Sequence, residues 1–199
     1  MKKIILLLLI VAFYTGCAGD KNITIKKAET INVTIEQEGQ LIPLPGDTAE
    51  LKRAPFSLIF TLSRPDSIFT SASFETETFN NALAGLKIEE LAGFKNPGTD
   101  EEPFNRSNIL YISSDTPNLW YYTDDTDHRF NSIVKSEKGF ICRRDISSVI
   151  NLDRKGEKTD VIKVKQDAIY LVIIMADRNE DYTRMIENSR KVIKLKFII

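Results

Sequence analysis

Apolar and polar residues alternate along much of this chain, and a period of two is typical of β-strands that bury one face. The alternation is clearest in three segments, 31–36, 56–63 and 193–197. A fourth segment, Ile169 to Ala176, is apolar on both faces, which predicts a central strand covered by packing layers on each side. The apolar positions of the three alternating segments are Ile31, Val33 and Ile35, then Phe56, Leu58, Phe60 and Leu62, and finally Ile193, Leu195 and Phe197.

Weaker strand patterns, separated by turn residues, fill much of the remaining chain. A series of short strands of this kind predicts a mainly β protein, with the architecture of an antiparallel two-sheet β-sandwich. The weaker strands are expected near Ile109 to Ser113, Leu119 to Thr123, Phe130 to Lys135, Gly139 to Arg143, and Val161 to Lys165.

One segment has a helical period instead. From Thr78 to Ala92 the apolar positions follow helical spacing, and Gly93 closes the pattern. This predicts a short helical insertion near residues 78–92, as one helix or two short helical turns. Loops are predicted at 96–103 and at 36–55. The second is long for a connection between strands, and long loops in compact domains are often functional.

The N-terminus has the pattern of a signal peptide. Lys2 and Lys3 precede an apolar run from Ile4 to Tyr14, which at about eleven residues is too short to cross a bilayer as a helix. The fragment Tyr14-Thr15-Gly16-Cys17 resembles a lipobox, so residues 1–16 are predicted to be removed and Cys17 to carry a thioether-linked diacylglycerol and further fatty acid such as palmitate. The alternative is a plain secreted protein with a chance cysteine.

Lipidation at Cys17 has consequences for location and for the fold. Ala18 follows the cysteine, which by resemblance to lipoprotein sorting favours the outer membrane, facing the periplasm. Residues 17–22 are predicted to form a lipidated tether and residues 23–199 a single β-sandwich domain. The one remaining cysteine, Cys142, then has no partner for an intramolecular disulfide. Its apolar neighbours predict a small buried side chain rather than a nucleophile.

Composition and charge exclude some functions. The chain is 42% hydrophobic and 28% charged with a formal net charge of −1, which is ordinary for a globular protein and provides no basic face for nucleic acid. The single histidine, His128, lies in an acidic turn without the spaced ligands of a zinc site. Asp177, Asn179 and Asp181 begin like a calcium loop, but Tyr182 stands where glycine is required. The sequence therefore predicts no catalytic residues, no metal and no cofactor, and we expect a protein that is not an enzyme.

The aromatic run Trp120-Tyr121-Tyr122 has two interpretations. It could form a platform that binds sugars, or its residues could alternate between the core and the sheet surface, which we favour. The platform would suit the alternative function of a lipid-anchored ligand-binding or adhesin module of the cell envelope.

Two stretches of the chain resemble the outer-membrane lipoprotein of type VI secretion systems, the TssJ family. They run from Pro55 to Phe74 and from Gly156 to Arg178, and together they cover about a third of the mature chain. The first has a strand opened by proline and a following apolar segment, and the second has a Gly-Glu turn leading to a buried strand. The matching positions are Pro55, Leu62, Phe69, Ala72 and Phe74, then Gly156, Glu157, Ile162, Val164, Asp167, Ala168, Tyr170, Leu171, Ala176, Asp177 and Arg178.

The resemblance implies a transthyretin-like or immunoglobulin-like sandwich that acts as a structural subunit. Such a protein binds the periplasmic domain of an inner-membrane secretion subunit (TssM-like) through the loop between its first two strands. In this chain that loop is 37–53. A stiff apolar stretch within it, which the resemblance makes the partner-binding loop, consists of Leu41, Ile42, Pro43, Leu44 and Pro45. The alternative is that Leu41 and Leu44 pack into the edge of the sandwich.

Overall fold

The computed structural model describes residues 31–63, 67–95, 108–121, 130–137, 139–154, 157–178 and 185–198. The predicted signal peptide, the predicted lipidation site Cys17, the predicted loop at 96–103 and His128 lie outside these ranges. Among the described residues the strands in chain order are β1 (Asn32–Gln37), β2 (Gln40–Ile42), β3 (Thr48–Leu51), β4 (Phe56–Leu62), β5 (Ser67–Ser73), β6 (Asn108–Ile112), β7 (Asn118–Tyr121), β8 (Ser132–Ser136), β9 (Gly139–Asn151), β10 (Glu157–Asp160), β11 (Ala168–Arg178) and β12 (Met185–Phe197).

These strands form two sheets. The first, sheet A, has the order β10-β9-β4-β1-β2, with β6 and β8 also paired to the long strand β9. The second, sheet B, has the order β3-β12-β11-β5-β7. The predicted two-sheet β-sandwich is therefore confirmed. The sheets are mixed rather than purely antiparallel, because β6 runs parallel to β9 and β3 runs parallel to β12.

The core lies between the sheets, and the period-two pattern determines which side chains enter it. The apolar positions predicted for the segments at 31–36, 56–63 and 193–197 are all buried in one cluster. The prediction for β11 is also confirmed. Ile169, Leu171 and Ile173 join the cluster between the sheets, whereas Val172 and Ile174 join a second cluster on the outer face of sheet B.

The outer face of sheet B is covered by the predicted helical insertion. Helix α1 (Glu77–Leu83) is followed by 3-10 turns at Ile88–Glu90 and Ala92–Phe94. The helix ends earlier than its apolar pattern suggests. Gly85, two residues beyond its end, has a φ of 84°, a conformation that favours glycine and does not continue a helix.

Gly93 does not close the helix as predicted, but it is required where it lies. A Cβ atom at this position would be 2.1 Å from Ser71 Oγ, on the buried strand β5. We expect Gly93→Ala to lower the free energy of unfolding by about 2 kcal/mol because the packed interior must give way. Urea unfolding followed by circular dichroism checks this. Adding Ser71→Ala, which removes the closest atom, is expected to recover part of the loss, and strict additivity of the two changes would contradict the explanation.

Two other sequence predictions were wrong, one at 161–165 and one at 36–55. The segment from Val161 to Lys165 is not a strand. It begins with a 3-10 turn, Val161–Lys163, which places the buried Val161 and Val164 on one side because 3-10 geometry aligns residues three apart. The strand that pairs here is β10, at 157–160. The segment 36–55 is not one long loop, since it contains β2 and β3.

The sandwich has two ends. At the near end the chain enters β1, where the backbone N–H of Ile31 donates to Ser189 Oγ at 3.0 Å. At the far end β1 finishes at Gln37, β9 extends to Asn151 and β12 finishes at Phe197. The registers of β1 with β4 and of β4 with β9 place the ends of β1 and β9 on the same side of the molecule. The end of the parallel pair β3 and β12 lies there too, because the Lys52 backbone N–H, which follows β3, donates to Gln37 Oε1.

Candidate partner-binding surface

A tight hairpin presents the beginning of the predicted partner-binding stretch. Strand β1 ends at Gln37, and Glu38 and Gly39 then turn the chain into β2. Both residues have positive φ, 54° for Glu38 and 76° for Gly39, as in the two-residue turns whose twist matches that of paired strands. The hairpin pairs Gln37 with Gln40, and this register decides which side chains of β2 face outwards.

The five residues of the stretch alternate between solvent and the core. Leu41 lies opposite Glu36 on the outer face of sheet A and is 66% exposed. Ile42 lies opposite Ile35 and packs partly on the core, as does Leu44. Pro43 and Pro45 are exposed. The sequence left open whether Leu41 and Leu44 face a partner or pack into the edge of the sandwich. Leu41 faces solvent, whereas Leu44 packs against the sandwich edge.

The stretch crosses from one sheet to the other along the side of the sandwich. Pro45 begins a 3-10 turn to Asp47, in which Gly46 and Asp47 both have positive φ. The Asp47 carboxylate accepts a hydrogen bond from the Lys191 ammonium group of β12. Strand β3 then pairs with β12. The crossing segment is therefore attached to both sheets.

A buried amide fixes the hairpin to the chain that follows β3. The Gln37 side chain is buried, and its Nε2 donates to the carbonyl oxygens of Lys52 and Ala54, both at 3.1 Å. Its Oε1 accepts from the backbone N–H of Lys52 at 2.9 Å. These bonds satisfy a polar group inside the protein and hold both ends of 37–53 together. Sequence reasoning missed Gln37, because a glutamine at the end of a strand usually faces solvent.

A polar cluster lies beside Leu41 on the outer face of sheet A. Arg143 Nη2 donates to Glu36 Oε1 at 2.8 Å and to Ser57 Oγ at 2.7 Å. Arg143 Nε donates to Asp145 Oδ1 at 2.7 Å, and Ser57 Oγ donates to the same oxygen at 2.6 Å. The register places Leu41, Glu36, Ser57 and Asp145 in one row across four strands.

The hydrogen bonds of this cluster hold the charged groups of Glu36, Arg143 and Asp145 in place next to the apolar side chain of Leu41. The hydrogen bond from Arg143 lowers the pKa of the Glu36 carboxyl, and the bonds to Glu36 and Asp145 raise the pKa of Arg143. Glu36 and Arg143 therefore remain ionised near neutral pH. They line a shallow cleft of about 370 Å³ that also includes Glu38 and Gly39 of the hairpin. An exposed leucine beside an ordered polar cleft has the composition of a protein-binding surface with an apolar centre and a polar rim.

The aromatic platform predicted as an alternative does not exist at Trp120. Its side chain is fully buried between the sheets, with its ring centroid 5.9 Å from that of Phe60 and 6.5 Å from that of Phe130. Arg144, also fully buried, places its Cζ 5.1 Å from the centroid of the Trp120 ring. The favoured interpretation of Trp120 as a core residue is correct. The side chains of Tyr121 and Tyr122 lie outside the described part.

The other candidates for chemistry provide no site among the described residues. Burial raises the pKa of the Cys142 thiol to about 12, so the thiol is protonated and packed as predicted. Asp177 Oδ2 accepts a hydrogen bond from Asn188 Nδ2 at 3.1 Å, across the hairpin of β11 and β12. In the described ranges, no three histidine, cysteine or acidic side chains group as metal ligands.

No helix in the described part of the chain has the length and hydrophobicity needed to cross a membrane.

Compared with family models, with curated proteins and with solved structures, the chain shows no match. The functional argument therefore depends on the residues and the geometry of this chain.

Proposed function

We propose that this protein is a lipid-anchored structural subunit of the cell envelope, the outer-membrane lipoprotein of a type VI secretion membrane complex. Acyl chains on Cys17 attach it to the outer membrane, and its sandwich binds the periplasmic domain of an inner-membrane subunit. The sequence resemblance to the TssJ family supports this assignment, as do the lipobox and the β-sandwich fold.

The exposure of Leu41 is the observation that carries the proposal. A leucine that is two-thirds exposed, between a tight turn and two exposed prolines, contributes nothing to the core that its neighbours Ile42 and Leu44 reach. Burying such a side chain against a partner is worth about 2 kcal/mol. Leu41 is therefore the natural apolar centre of an interface.

The stretch needs little ordering before it binds. Pro43 and Pro45 restrict their own backbone, Gln37 holds the hairpin, and Asp47 contacts Lys191. Association of a preorganised segment loses less conformational entropy than association of a mobile loop. The polar cluster at Arg143 borders the same surface and would select a partner of matching charge.

Replacing only the exposed residues of the stretch tests the proposal. Leu41→Ser combined with Pro43→Ser keeps Ile42 and Leu44 in the core, so the melting temperature should change little, as is usual for surface substitutions. Capture of the inner-membrane subunit from detergent-solubilised envelope is expected to fall at least about tenfold, because the apolar centre of the interface is lost. Mass spectrometry of the captured protein identifies it by its membrane span and periplasmic domain.

Leu83→Ser is the matched control. Leu83 is 60% exposed, close to the value for Leu41, but it lies on α1 over the outer face of sheet B. This variant should capture the partner as well as the parent does. Unaltered capture by the Leu41 and Pro43 variant would refute the role of the stretch. A captured protein without a periplasmic domain would instead favour a ligand-binding or adhesin module.

A further inference from the structure

We infer that a cavity at the far end of the sandwich binds a small amphiphile with an anionic group. The cavity has a volume of about 610 Å³, within the range of ligand pockets in proteins. It lies between the end of β9, strand β10, the segment at 163–166 and Phe74, which follows β5. It is separate from the surface around Leu41, and the inference does not depend on the proposed function.

The floor of the cavity is apolar. Val149 and Val164 line it and are buried in the core, and Phe74, which is half-buried, packs against the same core. An alkyl chain or ring that enters the cavity exchanges water for contact with these side chains, and each buried methylene group contributes about 0.8 kcal/mol. The floor therefore favours a ligand with an apolar body.

The rim of the cavity is basic. Arg154, Lys158, Lys163 and Lys165 line it, with Asp160 as the acidic member of the lining. Asp160 is paired with Lys163, its Oδ2 lying 3.5 Å from the Lys163 ammonium nitrogen. Within the described ranges, Arg154, Lys158 and Lys165 have no carboxylate within salt-bridge distance.

Other basic side chains at the far end are matched with acids. Lys52 Nζ lies 2.6 Å from Glu38 Oε2, and Lys196 Nζ lies 2.8 Å from Glu50 Oε1. Arg53 Nη2 lies 3.3 Å from Asp167 Oδ1. Arg154, Lys158 and Lys165 therefore bring three unmatched positive charges together at the cavity mouth, in a chain whose formal net charge is −1. A concave site lined by one sign of charge attracts ligands of the opposite sign.

An apolar floor under a cationic rim fits one ligand chemistry, an aliphatic or aromatic body that carries a phosphate or carboxylate. Lysines bind such groups as point charges, and the arginine can bind two oxygens at once. A soluble metabolite and the headgroup region of a phospholipid share this chemistry. Competition between probes of the two kinds distinguishes these sources.

Titration calorimetry with the full chain, kept in a neutral maltoside detergent, tests the inference. Octyl phosphate is the probe. The controls are inorganic phosphate, which lacks the alkyl chain, and octyl glucoside, which lacks the charge. We expect saturable binding of octyl phosphate, at least about tenfold tighter than binding of inorganic phosphate, because two or three methylene groups are buried. Octyl glucoside should not bind measurably above the detergent blank. Displacement by dihexanoyl phosphatidylglycerol would identify a lipid source, and its failure to displace the probe would identify a soluble one.

The rim is tested by Lys158→Gln with Lys165→Gln, which should weaken octyl phosphate about tenfold and reduce its salt dependence. The matched control, Lys95→Gln with Lys135→Gln, removes the same charge from two exposed positions outside the cavity and should leave the affinity unchanged. Full affinity for octyl phosphate in the rim variant would overturn the inference. So would binding of inorganic phosphate or octyl glucoside as tight as that of octyl phosphate. Equally tight binding of a hexaglutamate peptide, which is anionic but has no apolar body, would overturn it too.

Discussion

A Cys17→Ser variant is expected to lose all acylation and with it the outer-membrane location. The thioether needs a sulfur nucleophile, which serine lacks, so the lipid is not transferred and the leader is not removed by the lipoprotein route. One acyl chain gives marginal membrane binding at about 0.8 kcal/mol per buried CH₂, and two or three give stable attachment. Metabolic labelling with an alkyne analogue of palmitate, followed by separation of the two membranes, measures both effects.

Cys142 provides the control for this experiment, since it is the other cysteine of the sequence. A Cys142→Ser variant should incorporate the label as the parent does, because its thiol is buried and protonated. Label that persists after Cys17→Ser would contradict the anchor. So would recovery of the parent protein from the soluble periplasmic fraction.

The second large effect concerns stability. Trp120→Ala should lower the free energy of unfolding by about 4 kcal/mol, the usual cost of removing a fully buried large aromatic side chain. The indole forms edge-to-face contacts with Phe60 and Phe130 and supports the buried Arg144, so the vacated space cannot easily collapse. Urea unfolding checks this. It is followed by circular dichroism rather than by tryptophan fluorescence, because the variant lacks the single tryptophan of the chain.

Trp120→Phe distinguishes packing from hydrogen bonding. Among the described residues the indole Nε1 has no hydrogen-bond partner, so phenylalanine loses volume without leaving an acceptor unpaired. We expect a loss below about 1.5 kcal/mol for this change. A loss as large as that of Trp120→Ala would mean that packing volume does not explain the importance of Trp120.

Much of the fold follows from local pattern, and the exceptions have physical causes. The alternation in β4 and β12 predicts their buried faces, and the doubly apolar β11 predicts a central strand. Strand β9 extends eight residues beyond its predicted end at Arg143, because Arg143, Arg144 and Asp145 interrupt its apolar pattern. Burial of Arg144 depends on Trp120, which is distant in sequence. The parallel pairs are equally non-local, and periodicity contains no information on strand order.

The candidate surface was predictable in composition but not in orientation. An apolar, proline-containing stretch between polar flanks is visible in the sequence at 41–45. Which of its side chains faces solvent depends on the register of the β1–β2 hairpin, and a shift by one residue would exchange Leu41 with Ile42. The cluster of Glu36, Ser57 and Arg143 was missed because three strands supply it, and neither sheet order nor register is visible in one sequence.

The parallel pairing of β3 with β12 joins residues 48–51 to residues 194–197. A polypeptide is synthesised from its N-terminus, so β3 emerges long before β12, the strand with which it pairs. Since β3 follows the Leu41–Pro45 stretch, that stretch acquires its final attachment only after β12 has been synthesised. Folding of the candidate surface is therefore coupled to the arrival of β12, and a protein truncated before β12 should be unable to enter an assembly that requires this surface.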